Sequence, residues 1–109
     1  MILNPLEKSV HELVEFRAAG ERLLLLDVRE SVEYAWCHLP DSQLIPLDDL
    51  PVRFEELTRD SLILVLCHTG VRSLAAASFL RAQGFTRAFS LAGGIHHWSL
   101  VIDSRVPTY

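Results

Sequence analysis

Residues 61–84 read "SLILVLCHTGVRSLAAASFLRAQG". The opening apolar run, closing at Cys67, is how a strand buried on both faces of a parallel sheet reads. Residues 71–84 read as a helix that Gly84 ends, and its alanines allow close approach to a sheet. A strand that passes through a tight loop into a helix points to an α/β fold with a parallel sheet.

The flanks repeat the alternation. Ser9 and Glu12 form a capping box, S-x-x-E, for a helix over residues 10–19. Val10, Leu13 and Val14 supply its apolar face, and Gly20 suits its stop. "RLLLLDV" (22–28) reads as a second buried strand, and residues 30–36 as a short helix. A Pro-Asp turn precedes a short strand, "QLIPL" (43–47). Asp48 or Asp49 caps a helix through "LPVRFEEL" (50–57), with Pro51 in its first turn. "RAFSLAGG" (87–94) is the last strand and "IHHWSLV" (95–101) the last helix. The expected architecture is a three-layer α/β/α sandwich on a central, mostly parallel sheet of about five strands.

The chain has 109 residues, 50% hydrophobic and 22% charged, the profile of one folded domain spanning 1–109. A net charge of -4, with no basic cluster, argues against nucleic acid or an acidic membrane as partner. Leu23–Leu26 is too short an apolar run to cross a bilayer, and "MILNPLEKSV" has no signal-peptide pattern. Cys37 and Cys67 are therefore expected as reduced thiols in a cytoplasmic protein.

The loop asks to be read as chemistry or as packing. A cysteine at a strand end is most often a small buried hydrophobe. Here it sits at the carboxyl end of a strand, where sites in such sheets lie, and it leads into a helix N-terminus. The first amides of a helix lack intrahelical partners and gather around anions, a thiolate included. Gly70 permits the tight bend. Arg72 adds a fixed positive charge and a planar fork for an oxyanion.

Three segments resemble the rhodanese (sulfurtransferase) homology domain in its single-domain form, over roughly residues 10–109. "LLLLDVRESVEYAWCHLPDSQLIPL" (23–47) is similar to the family's leading motif, Asp-Val-Arg-Glu after a strand followed by a His-Ile-Pro-like turn. "VLCHTGVRS" (65–73) resembles its active-site loop, Cys-x-x-Gly-x-Arg-Ser, and "LAGGIHHW" (91–98) its closing Gly-Gly-Ile-x-x-Trp. His68 stands where many members carry Arg or Lys, and Cys37 where they carry Gly.

The resemblance implies a persulfide mechanism. The Cys67 thiolate attacks the outer sulfur of a small anionic donor such as thiosulfate, and sulfite leaves. The persulfide then passes its terminal sulfur to cyanide, a thiol or a protein acceptor. His68, Thr69, Gly70, Val71, Arg72 and Ser73 form the loop that holds the substrate, with Arg72 orienting the donor. No metal or organic cofactor is needed.

Asp27 and Arg29 end a strand at the edge of this site. Asp27 is expected to pair with an arginine or cap a backbone group, and Arg29 to stay structural or draw anions inward. His38 is expected to make a structural hydrogen bond. His96 and His97 are adjacent on a helix, point different ways, and are not expected to share a metal ion. Trp36 and Trp98 read as core or rim packing. Cys37 offers a further role, closing a disulfide onto oxidised Cys67.

Two other functions compete. A cysteine phosphatase or arsenate reductase needs Cys-x5-Arg, whereas four residues separate Cys67 from Arg72. A non-catalytic or carrier-type module of the same fold would bind a protein partner.

Overall fold

The structure, a computed structural model, describes residues 4–109. The first three residues of the amino-terminal stretch lie outside the described residues. In chain order the elements are β1 (Glu7–Lys8), α1 (Val10–Ala18), β2 (Leu23–Asp27), α2 (Ser31–Trp36), β3 (Ser42–Leu44), α3 (Leu50–Arg53), β4 (Leu62–Leu66), α4 (Val71–Ala82), β5 (Ala88–Leu91) and α5 (Gly94–Val101). The five strands form one parallel sheet in the order β1-β5-β4-β2-β3.

The continuous apolar run puts β4 at the centre. All five of its residues are buried, so side chains of both parities meet protein. On one face Leu26, Ile63, Val65 and Ala88 pack with Leu50, with Ala76, Ala77 and Leu80 of α4, and with Phe85. On the other, Leu25, Leu64, Leu66 and Leu91 pack with Val10 and Leu13 of α1 and Ile95 and Trp98 of α5. Each fully buried Leu or Ile contributes roughly 1.5–3 kcal/mol relative to exposure. This is the three-layer arrangement expected from the sequence.

α1 starts as expected. Ser9 Oγ accepts the Glu12 N–H at 3.0 Å, and Glu12 Oε1 accepts the Ser9 N–H at 3.0 Å.

The structure differs from the sequence reading at four points. The edge strand β1 lies in a charged dipeptide with no apolar signal, and neighbouring backbone holds it: Ser90 N donates to Leu6 O at 2.7 Å. The short strand stops at Leu44 rather than 47, because 3₁₀ turn begins at Leu47, directly after Pro46. The helix expected over 50–57 is four residues of α-helix between two 3₁₀ turns. Asp49 does not cap it. That residue is already inside a helical turn, its N–H donating to Pro46 O at 2.9 Å, so it lacks the extended geometry of a cap.

Candidate active site

β4 ends at Leu66, and Cys67 follows with its side chain on the α4 face, 1% exposed. The chain then turns through Gly70, whose φ of +108° is open to glycine but strained for other residues. The turn brings the Gly70 N–H to 3.1 Å from Cys67 Sγ. The Cys67 thiol donates to Ser73 Oγ at 3.4 Å, and Ser73 shares a 2.7 Å hydrogen bond with Ser90 Oγ on β5. Both serines are buried. The sulfur thus lies among small dipoles at the start of α4.

The loop is braced from behind by α5. Ile95 N donates to Cys67 O at 2.9 Å and His96 N to His68 O at 3.0 Å. Such close docking needs Gly94: a Cβ there would collide with both carbonyl oxygens, and its φ is +61°. The Gly-Gly pair therefore sets the position of the cysteine loop.

Arg72 reaches the mouth of the site, but its fork is occupied. Its Nη1 and Nη2 donate to Glu33 Oε1 and Oε2 at 2.6 and 2.9 Å. The sequence reading gives this fork to an oxyanion; in the structure α2 places the Glu33 carboxylate on it. The hydrogen bonds from Arg72 hold the Glu33 carboxyl well below the usual range, at about 2, against the opposing effect of burial. The same contact pushes the Arg72 guanidinium up.

Arg29 is fully buried and clamped to Asp27. Its Nε donates to Oδ1 at 3.0 Å and its Nη2 to Oδ2 at 2.7 Å. Nη2 also donates to Cys37 O at 2.6 Å, and Nη1 to the Tyr109 hydroxyl at 3.0 Å. Burial disfavours the cation, yet the bonds to Asp27 and Tyr109 outweigh it and the pKa is raised. The pair ties β2, the end of α2 and Tyr109 together. A buried ion pair of this kind costs about 3–5 kcal/mol when one partner is removed.

The remaining loop residues diverge. Thr69 and Val71 are exposed. His68 stacks on Tyr109, centroids 3.9 Å apart, and meets His96 edge-on at 5.8 Å. His68 Nε2 and His96 Nδ1 are buried without a hydrogen-bond partner. His38 Nδ1 lies 2.9 Å from Tyr34 O. Trp98 is core, whereas Trp36 is 65% exposed. Among the described residues no cluster of His, Cys, Asp or Glu could hold a metal ion. Cys37 packs with the α1–α5 face of the sheet and Cys67 with the α4 face, so the two thiols lie on opposite sides.

Three site residues escaped the sequence reading. Glu33 carried a signal, since Glu30-x-x-Glu33 is itself a capping pattern at a helix start. Ser90 sits in a strand whose register alone brings it to Ser73. Tyr109 lies far along the chain from the loop, with no local pattern linking them.

A thiol held at the carboxyl end of the central parallel strand, inside a short turn into a helix, defines a cysteine-based α/β site. The chain belongs to the rhodanese-like domain family, whose family model matches residues 9–100. A sulfurtransferase of Allochromatium vinosum is 35% identical over 82 residues, 75% of this chain and 77% of that protein. An adenylyltransferase and sulfurtransferase of Ogataea parapolymorpha is 34% identical over 110 residues; the match covers 100% of this chain but 28% of that protein. The human single-domain sulfurtransferase superposes with a TM-score of 0.78 at 27% identity, covering 90% of this chain and 98% of that one. Among the described residues no helix is long and apolar enough to cross a membrane.

Proposed function

We propose that this chain moves sulfane sulfur from a donor to a thiophilic acceptor through a persulfide on Cys67. The supporting observation is the surroundings of Cys67 Sγ, with the Gly70 N–H at 3.1 Å and the Ser73 hydroxyl at 3.4 Å. In the thiol form the S–H donates to Ser73. Once the sulfur ionises, the Ser73 hydroxyl turns to donate to it while Ser90 donates to Ser73. The two serines thus follow the change of charge without moving backbone, and pre-oriented dipoles are the main source of electrostatic catalysis.

The chemistry runs in two displacements. The Cys67 thiolate attacks the outer sulfur of the donor, for which thiosulfate is the simplest case. The donor's S–S bond breaks, sulfite leaves with the electron pair, and a new S–S bond joins the sulfur to Cys67. Cyanide, a small thiol or a protein thiol then attacks the outer sulfur and regenerates the Cys67 thiolate.

Intact mass spectrometry tests this. Incubation with a sulfane-sulfur donor adds one sulfur atom, mapped to Cys67 and removed by cyanide. Cys67→Ser abolishes the addition, and Cys37→Ser leaves it. Mapping of the sulfur to Cys37, or no addition from any donor, overturns the proposal.

A further inference from the structure

Glu33 is the only carboxylate on the loop's guanidinium among the described residues, and it is unusually well held. Its Oε1 accepts from Arg72 Nη1 at 2.6 Å and from the Glu30 N–H at 2.9 Å. Its Oε2 accepts from Arg72 Nη2 at 2.9 Å and from the Tyr109 hydroxyl at 2.8 Å. Two donors on each oxygen leave the carboxylate no reason to swing away. We propose that Glu33 sets the donor specificity of Cys67: by neutralising Arg72 it favours sulfane sulfur borne on an organic group with at most one negative charge, and disfavours a free dianion such as thiosulfate. This rests on the persulfide reading of Cys67 given above.

The charges support it. With the Cys67 thiolate formed, Glu33 and Arg72 cancel and the mouth of the site carries one net negative charge. Arg29 does not offset it, being buried against Asp27. A dianion meets repulsion there and finds the guanidinium fork, a good bidentate partner for an oxyanion, already filled. Acidification within any working range does not free the fork, because the Glu33 carboxyl titrates at about 2.

The wall beside Glu33 supports it independently. Val32, Trp36 and Tyr109 line a shallow, open and mostly apolar depression of about 300 Å³ next to the carboxylate. Val32 is 75% exposed and Trp36 65%, an outlay of apolar surface that α2 does not use for its own packing. An aryl or alkyl group attached to the sulfane sulfur would cover these side chains beside the Glu33–Arg72 pair. Sulfite's oxygens would gain nothing from them.

Thiosulfate and benzenethiosulfonate make the comparison, since the second replaces one charged oxygen by a phenyl ring. With the thiosulfonate, the Cys67 thiolate attacks the outer sulfur, the S–S bond breaks, and benzenesulfinate leaves with the electron pair. One negative charge stays on the persulfide and one on the sulfinate, so charge and electrons balance. The wild type is expected to use the thiosulfonate at least tenfold better in kcat/KM. Its kcat/KM for thiosulfate is expected to rise with added salt, as like charges are screened. Glu33→Gln keeps an acceptor for the Glu30 N–H that caps α2, turns an amide N–H towards the Tyr109 hydroxyl in place of an acceptor, and removes the charge. It should shift the ratio of the two kcat/KM values about tenfold or more towards thiosulfate, chiefly through a lower KM for that donor.

An unchanged ratio in a folded Glu33→Gln protein overturns the proposal while leaving the persulfide reading intact. So does a wild-type preference for thiosulfate that weakens with salt, a measurement that stands if the variant fails to fold. Failure of both donors to load Cys67 in the wild type sinks the persulfide reading itself.

Discussion

Tyr109 lies flat on His68, the two rings 3.9 Å apart and 7° from parallel. The phenol also bridges two charged residues, accepting from Arg29 Nη1 at 3.0 Å and donating to Glu33 Oε2 at 2.8 Å. One side chain thus joins the residue after Cys67, the buried ion pair of β2 and the carboxylate of α2. Burial pushes its pKa up to about 12, with Arg29 opposing and Glu33 assisting, so the hydroxyl keeps its proton wherever the protein works.

Two variants separate these contacts. Tyr109→Phe keeps the stack and loses the bridge, and should cost about 1–3 kcal/mol, since it takes an acceptor from the fully buried Arg29. Tyr109→Ala loses both, and the added stacking loss is about 0.5–1.5 kcal/mol. Urea unfolding midpoints measure the difference. Equal stability of the two variants would mean that the stack on His68 contributes nothing.

The serine pair behind the sulfur makes a second test. Ser73→Ala removes the hydroxyl next to Cys67 Sγ, and a hydrogen bond to a charged group contributes about 1.5–3 kcal/mol. Persulfide formation should therefore slow roughly 10- to 100-fold. Ser90→Ala should slow it less, since Ser90 acts through Ser73. In the double variant the Ser90 effect should vanish, because its only path to the sulfur is gone. Single-turnover loading followed by mass spectrometry provides the rates. Additive losses would show that the two hydroxyls act separately.

The fold was largely legible because its elements announce themselves locally. The apolar run of β4, the Ser9–Glu12 box and the glycine after α4 each carry their own signal. β1 does not, because Glu7 and Lys8 are strand only through pairing with β5. The candidate site was legible where it follows the chain: Cys67, Gly70 and Ser73 run from the end of β4 into the first turn of α4. It was not legible where the partner arrives through space. Arg72 read as a free cation because Glu33 is 39 residues away in sequence, joined to it only once β2 and β4 pair. A sequence shows which charges exist but not which are already neutralised.

Gly94 is the tightest joint between α5 and the cysteine loop. A Cβ there collides with the carbonyl oxygens of Cys67 and His68, and a side chain at φ +61° is strained in any case. Gly20, at φ +72° with nothing within 4 Å of its Cβ position, serves as the control. Gly20→Ala should cost only the backbone strain, about 1 kcal/mol. Gly94→Ala should cost at least about 2 kcal/mol and lower Tm by roughly 10 °C. Sulfur transfer should fall further than stability explains when assayed below Tm, since the displaced carbonyls carry Cys67 with them. Similar Tm values for the two variants would contradict the close approach.

Glu33 also predicts how acid affects the fold. Its carboxyl titrates at about 2 in the folded protein, against an ordinary value of 4.5. A carboxyl with a depressed folded pKa stabilises the protein above its unfolded value and loses that contribution as the pH falls through its folded one. The Glu33 contribution is therefore complete above pH 4.5 and gone by about pH 2. Allowing for solvent at the partly exposed Arg72 contact, it amounts to on the order of 1 to 2 kcal/mol. Other carboxylates titrate over the same interval, so the wild-type curve alone does not isolate it. The difference between wild type and Glu33→Gln does, because the variant retains every other acid. Stability from urea unfolding should differ by that amount near neutrality, and the gap should close steadily between pH 4.5 and 2. A gap that stays constant across this interval would mean that Gln loses packing rather than charge, and that the Arg72 contact is not what holds Glu33 ionised.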